Sequence, residues 1–269
     1  MKKELPLIEI QNKLFDTMCY IDQFCKENQI KYYMLGGTAL GARRHQGFIP
    51  WDDDIDIGML REDYEKFISL AGELQGEFEF KNYRLNKKCD CVITRLYYLN
   101  TEIDNPVIEH PWFDKRMYFD IFPLDYVPRD QKKREKQRKE LERLKKLIWW
   151  SMPFKHTSNV LKRTVSNVIH LILRPLHNVF LKRMDVVMSA CKRDDACGIC
   201  SMASQYSYDR QNMPIDVYGE PIRYQFGNNS FFGPEKIDCY LTQLFGPDYM
   251  EVPPKEKRRI GFSVYENKA

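Results

Sequence analysis

The sequence predicts an α+β fold, α/β-like in its first part, with a mixed sheet covered by helices and an added helical region. Three observations predict it. The first 74 residues read helix, strand, glycine turn, helix, strand, helix. Three further runs of β-forming residues follow before position 123. A long charged helix then begins near position 130, where the strand pattern has stopped.

Taken in order, residues 7–29 place Leu7, Ile10, Leu14, Met18, Ile21 and Phe24 at steps of three or four, the spacing of a helix with one apolar face. Residues 30–35 are rich in β-formers and run into Gly36-Gly37-Thr38, after which residues 39–44 form a short helix. Residues 47–50 make a turn. Residues 55–59 alternate apolar and polar side chains, as a half-buried strand does. Residues 61–74 are helical, with Tyr64, Phe67, Ile68 and Ala71 on one face. Strands are expected at 78–85, 91–99 and 115–122, with Pro123 and Pro128 ending the sheet pattern. Residues 130–150 form a charged helix ending in Ile148-Trp149-Trp150, and residues 158–192 one or two helices broken at Pro175. From Ser201 onward short strands and loops are expected, with a helix over 237–245. This divides the chain into a core at 1–129, a helical insertion at 130–195 and a C-terminal segment at 196–269 that closes over the site.

The chain has 269 residues, 43% of them hydrophobic, enough for one large domain or a core with an added lobe. It has no apolar run of transmembrane length and no signal-peptide pattern at its start, so the expected location is cytoplasmic. The 8 cysteines are expected as reduced thiols. Cys191, Cys197 and Cys200 would need a fourth ligand to hold zinc, which makes ordinary thiols the favoured reading. A net charge of +4 does not by itself predict nucleic acid.

The chemistry is expected between Met34 and Met59. Gly36-Gly37-Thr38 follows a strand and opens a helix, where backbone N–H groups and the helix start favour phosphate. Asp52-Asp53-Asp54-Ile55-Asp56 follows. In a strand Asp54 and Asp56 would face the same side. Two unit charges ~4 Å apart cost on the order of 4 kcal/mol at an intermediate dielectric, so such a pair calls for a cation. Mg²⁺, with Mn²⁺ as its substitute, suits carboxylates plus substrate phosphates. An isolated GG is usually a turn and an isolated acidic run usually solvated surface; the two together, with aspartate in a strand that normally avoids it, favour a site. Asp120, in the apolar strand around MYFDIFP, is the expected third carboxylate. The competing reading is a buried aspartate satisfied by backbone amides or by an arginine. Asp125 is the fallback.

The run GGTALGARRHQGFIPWDDDIDIGMLREDYEKF closely resembles the LicD family of phosphocholine transferases. FDIFPLDYVP and YLTQLFGPDYMEVPPKEKR are similar to it too, whereas residues 130–195 match nothing of it. The resemblance implies a nucleotidyltransferase-type core, shared with the fukutin and fukutin-related proteins. It implies transfer of a phospho-alcohol from a CDP-alcohol, CDP-choline first, to a hydroxyl of a glycan or lipid-linked glycan, such as a teichoic acid, lipopolysaccharide or capsule precursor. By this resemblance Asp54, Asp56 and Asp120 hold the metal and carry catalysis, with Asp120 alternatively the general base. Gly36, Gly37 and Thr38 line the phosphate, and Arg44 and His45 match an RH pair facing the leaving CMP. For His45 a structural hydrogen bond is an equal alternative. Residues 224–230 lack the proline that the family pattern expects near that point.

If choline is the group moved, its quaternary ammonium would favour an aromatic cage, for which Trp51, Trp112, Tyr206, Tyr208, Phe231 and Phe232 are candidates. The basic helix at 130–146, with its Trp-containing end, fits a peripheral contact with an anionic membrane's inner face as well as it fits a solvated helix face. Two other functions compete: a nucleotidyltransferase that uses an NTP on a small molecule or protein, and a non-catalytic, basic nucleic-acid-binding protein. Glu135, Glu140 and Glu142 within the basic run, and the aspartates, argue against nucleic acid.

Overall fold

The computed structural model describes residues 2–86, 89–104, 114–152, 160–258 and 261–267. The described elements are, in order, β1 (Lys2–Glu4), α1 (Leu7–Glu27), β2 (Tyr33–Met34), α2 (Gly36–His45), β3 (Asp56–Leu60), α3 (Arg61–Ser69), β4 (Phe78–Lys81), β5 (Thr94–Tyr98), β6 (Thr101–Ile103) and β7 (Tyr118–Pro128). Then come α4 (Gln131–Ser151), α5 (Val160–Leu173), α6 (His177–Met188), β8 (Ala196–Cys200), α7 (Tyr208–Gln211), β9 (Met213–Pro214), α8 (Ile215–Tyr218), β10 (Ile222–Phe226), β11 (Asn229–Gly233), α9 (Ile237–Phe245) and β12 (Val264–Asn267).

The central sheet runs β2-β3-β7-β5-β4, with β8 added to the far half of β7 and β9 to β8. β3 and β7 are parallel and the other pairs antiparallel, so the sheet is mixed and the fold α+β, as expected. Ile10, Leu14, Met18 and Ile21 of α1 are buried in one core with Ile57, Met59, Phe119 and Ile121 of β3 and β7. A second core lies where Leu141 and Leu144 of α4 and Leu181, Met184 and Met188 of α6 meet Val127 and Cys200.

β7 departs from expectation: it runs through Pro123 and ends only at Pro128. Pairing with β5 stops at Ile121 and pairing with β8 starts at Asp125, so Pro123 falls where that edge has no ladder partner to miss its N–H. Pro128 sits at a register shift, which tolerates proline for the same reason. The expected break at Pro175 is a 3₁₀ turn, Arg174–Leu176, between α5 and α6. The strand expected to start at Cys91 starts at Thr94.

Buried ion pairs clamp the helical insertion to the sheet. Arg61 grips Asp125 with two bonds of 2.7 and 2.6 Å and donates to Asp185 on α6 at 2.9 Å. Tyr83 and Arg84 donate to the other oxygen of Asp185, at 2.5 Å each. All eight cysteines are free, and among the described residues Cys191, Cys197 and Cys200 do not gather as a ligand set.

Candidate active site

Two neighbouring parallel strands form the floor. Asp56, first residue of β3, stands directly opposite Asp120 of β7. Asp120 N–H donates to the Ile55 carbonyl at 3.2 Å, extending the ladder one residue back. Asp54 was expected inside the strand, on the face of Asp56. It lies instead in the approach to β3, consistent with the poor fit of aspartate to a pleated ladder.

The glycine turn packs against these carboxylates. Gly36 has φ +49°, a left-handed conformation that glycine adopts without penalty, and a Cβ there would lie 3.5 Å from Asp56 Oδ2. A Cβ on Gly37 would lie 2.8 Å from Asp52 Oδ2, closer than side chains approach. Leu35 N–H donates to the Asp56 carbonyl at 2.9 Å, and Asp56 N–H donates to Thr38 Oγ1 at 2.9 Å. Thr38 thus fixes the start of β3 against α2. The N-terminus of α2 has no side-chain cap, and the Gly36 N–H donates to the Tyr240 hydroxyl of α9 at 3.0 Å. Gly36, Gly37 and Thr38 therefore present a helix start, with its partial positive charge, beside Asp52 and Asp56.

Arg95, like Tyr240, gave no sign of its role in the sequence. Its Nε donates to Asp120 Oδ1 at 2.8 Å, its Nη1 to Asp90 Oδ2 at 3.3 Å, and its guanidinium lies 4.3 Å from the centre of the Tyr118 ring. Asp120 is thus both opposite Asp56 and paired with an arginine, so the two readings made from sequence coexist. Its Oδ2 has no hydrogen bond among the described residues.

The electrostatics are those of crowded carboxylates. Burial, then Asp53, pushes Asp52 up to about 6. Asp54 has an exposed side chain, yet the protein crowded around it, then Asp52, Asp53 and Asp120, push it up to about 8. Burial and then Asp54 and Asp120 hold Asp56 well above the carboxylate range. Burial also raises Asp120, overcoming the opposing pull of Arg95. Oxygen-only donors of this kind suit a hard divalent cation. Asp54, Asp56 and Asp120 do not, however, bring three ligand atoms within 4.8 Å of one another; among the described residues only Cys89, Asp90 and Cys91 do so.

Other expected residues also make structural contacts. Arg44 donates to the carbonyls of Tyr249 and Glu251, both at 2.9 Å, and to His45 Nε2 at 3.0 Å. It ties the end of α2 to the C-terminal segment. His45 packs edge-on to Trp51, and burial, then Arg44, lowers its pKa. Asp125, the fallback ligand, is 1% exposed and held by Arg61, so it is a clamp residue. The aromatic candidates have other partners: Phe231 and Tyr208 are buried in separate cores, Phe232 lies under Arg223, Trp51 under Arg258 and Tyr206 under Arg210. Trp112 lies outside the described residues.

Residues 29–148 match the family model described as LicD/FKTN/FKRP, nucleotidyltransferase domain. That span contains every expected site residue. Over 271 aligned residues the chain is 28% identical to the lipopolysaccharide cholinephosphotransferase LicD of Haemophilus influenzae, covering 96% of each chain. It is 32% identical over 116 residues to the uncharacterized protein RP689 of Rickettsia prowazekii, covering 39% of this chain and 44% of that one. It is 36% identical over 63 residues to the human ribitol 5-phosphate transferase FKRP, covering 23% of this chain and 13% of that one. The resemblance read from the sequence stands, but it reaches further than expected: the family model runs to residue 148 and the LicD alignment covers 96% of the chain, so residues 130–195 are matched too.

Proposed function

From the premise that this chain is a LicD-family transferase, we propose that it moves a phospho-alcohol, phosphocholine first, from a CDP-alcohol to a hydroxyl of a cell-surface glycan and releases CMP. Its enzyme class is that of the named relatives, which transfer choline phosphate and ribitol 5-phosphate. The reaction takes place in the cytoplasm, at the inner face of the membrane.

The observation that carries it is the facing pair Asp56 and Asp120 on parallel strands, with the glycine turn seated against Asp56. The oxygen-only chemistry of the donors suits Mg²⁺, although their oxygens do not all lie within 4.8 Å of one another in this structure: Asp54 and Asp56 would hold it, with Asp120 Oδ2 the third oxygen. When bound, the ion would neutralise charge on the diphosphate of the donor. In the proposed reaction the acceptor oxygen bonds to the phosphorus carrying the alcohol as the bond from phosphorus to the CMP oxygen breaks. The uncapped N–H groups of Gly37 and Thr38 bind phosphate oxygens. Thr38 and Tyr240 hold the turn in place. Arg95 fixes the carboxylate of Asp120, which serves either as ligand or as the base taking the acceptor's proton. Arg44 braces the C-terminal segment, and Arg44 and His45 would face the leaving CMP.

The nucleotidyltransferase description of the matched domain keeps one other reading open, transfer of a nucleotide from an NTP. A thermal-shift panel separates them: CDP-choline, CDP-ribitol, CDP-glycerol, CTP and ATP with Mg²⁺, for wild type and Asp54→Asn. A Mg²⁺-dependent shift with one CDP-alcohol, lost in the variant along with CMP release, is expected. A shift with an NTP alone would replace this function with the other. CMP release undiminished in Asp54→Asn would remove Asp54 from the site.

A further inference from the structure

Residues 131–188 hold 15 of the chain's 42 Lys and Arg but only 4 of its 38 Asp and Glu. This segment therefore carries a net charge of +11 in a chain whose total is +4, and everything outside it is net acidic. The same segment carries apolar side chains on its outer surface. Val165, Val168, Ile172, Leu176 and Val179 are exposed and recur at steps of 3, 4, 4 and 3, one stripe continuing from α5 through the turn into α6. Ile172, 64% exposed, is its centre, and Leu171, 70% exposed, widens it there.

The stripe is turned opposite to the usual helix of a folded domain, whose apolar face points inward. Polar groups occupy the inner side. His170 Nδ1 donates to the Ser151 carbonyl at 2.9 Å, and His177 Nε2 donates to the Cys89 carbonyl at 3.2 Å. Further along, Leu181, Met184 and Met188 supply the buried face of α6 while Val179 and Val186 stay outside. Trp149 and Trp150, at the end of α4, are also exposed. The concavity of ≈690 Å³ between α4 and α6 that Val186 borders is lined by four basic side chains, Lys133, Lys136 and Arg183 among them, and by four acidic ones, so the excess basic charge of the segment lies outside it.

We propose that the outer face of α5 and the start of α6 is a docking surface for an anionic lipid bilayer, whatever group the active site transfers. Charge selects this occupant over a second copy of the chain, because two such lobes face to face would repel, while an anionic surface attracts each basic residue. The apolar stripe selects it over nucleic acid, which offers phosphates but no hydrocarbon. The helix lies in the headgroup plane with its stripe in the acyl boundary. α5 is about 21 Å long, short of the ~30 Å hydrocarbon layer, and among the described residues no helix is long and apolar enough to cross a membrane. The Asp185 ion pairs then connect the docked lobe directly to Arg61, the residue that follows β3.

The test is flotation of the full chain with vesicles of phosphatidylcholine alone or mixed with phosphatidylglycerol. The variants are Leu171→Gln/Ile172→Gln and, as control, Val252→Gln, which changes an exposed apolar residue outside the stripe. Far-ultraviolet circular dichroism and melting curves establish that each variant is folded. Flotation is expected only with the anionic vesicles, weakened by high NaCl, reduced about tenfold or more in the double variant and unchanged in the control. Absence of flotation, or equal flotation of the folded double variant, would overturn the proposal. So would a concentration-dependent dimer, lost in the double variant, in a protein that ignores vesicles, which would assign the face to contacts between copies.

Discussion

Replacing Arg95 with Gln removes the cation from beside Asp120 and leaves the carboxylate where it was. The pair is buried on both sides, at 14% and 11% side-chain exposure, and its bond is 2.8 Å long. Removing one partner of such a pair costs roughly 3–5 kcal/mol, because the remaining charge keeps its desolvation cost without compensation. For a chain of this size that is a fall in Tm of roughly 6–20 °C. The loss should grow from pH 5 to pH 8, since at the lower pH Asp120 escapes part of the cost by taking up a proton. Asp120→Asn in the Arg95→Gln background should restore most of the stability. Asp120→Asn alone should cost less than Arg95→Gln, because Arg95 still reaches Asp90. The assay is urea unfolding of wild type, both single variants and the double variant, closed as a cycle, with an expected coupling of at least ~2 kcal/mol. A cost for Arg95→Gln below ~1 kcal/mol, with coupling near zero, would mean that Asp120 is solvated and would refute the reasoning.

The crowded carboxylates make a second prediction. Asp52 and Asp54 have folded pKa values raised to about 6 and about 8, above the unfolded value near 4, so the folded state holds their protons longer. Their contribution to stability is therefore fully present at low pH and lost as pH rises from about 4 through 8. In EDTA, Tm should fall between pH 5 and 8.5, and Mg²⁺ should raise it more at the upper end; a Mg²⁺ effect independent of pH would contradict this. Third, Gly36→Ala forces a side chain into a left-handed φ at a cost of ~1–2 kcal/mol, although the 3.5 Å spacing to Asp56 accommodates the methyl group. Urea unfolding measures it, and an unchanged midpoint would mean that the turn has other conformations open to it.

Much of this was legible in one dimension. The steps of three and four in α1, the β-forming runs and the glycine turn ahead of Asp54 and Asp56 are local patterns, and each produced an element near its expected place. The strand start at Asp56 and the passage of β7 through Pro123 were misread, because both depend on which neighbour each edge pairs with. Arg95 was invisible because an arginine in a strand gives no local sign of which residue will stand opposite it on the neighbouring strand. Tyr240, which holds the Gly36 N–H, was missed for the same reason: 204 positions separate donor and acceptor.

The Asp56–Asp120 pairing also fixes when the site can come into being. The two residues stand 64 positions apart in a parallel ladder, whose ends no hairpin can bring together. Closing a loop of that length costs about 3.7 kcal/mol of chain entropy before any strand contact is repaid. Helix α1 and the β10–β11 hairpin depend on near neighbours in the chain and can form early. The floor of the site has to wait for a distant strand, and the far half of that strand waits in turn for β8. The facing aspartates are consequently a late product of folding, present only once most of the chain is already in place.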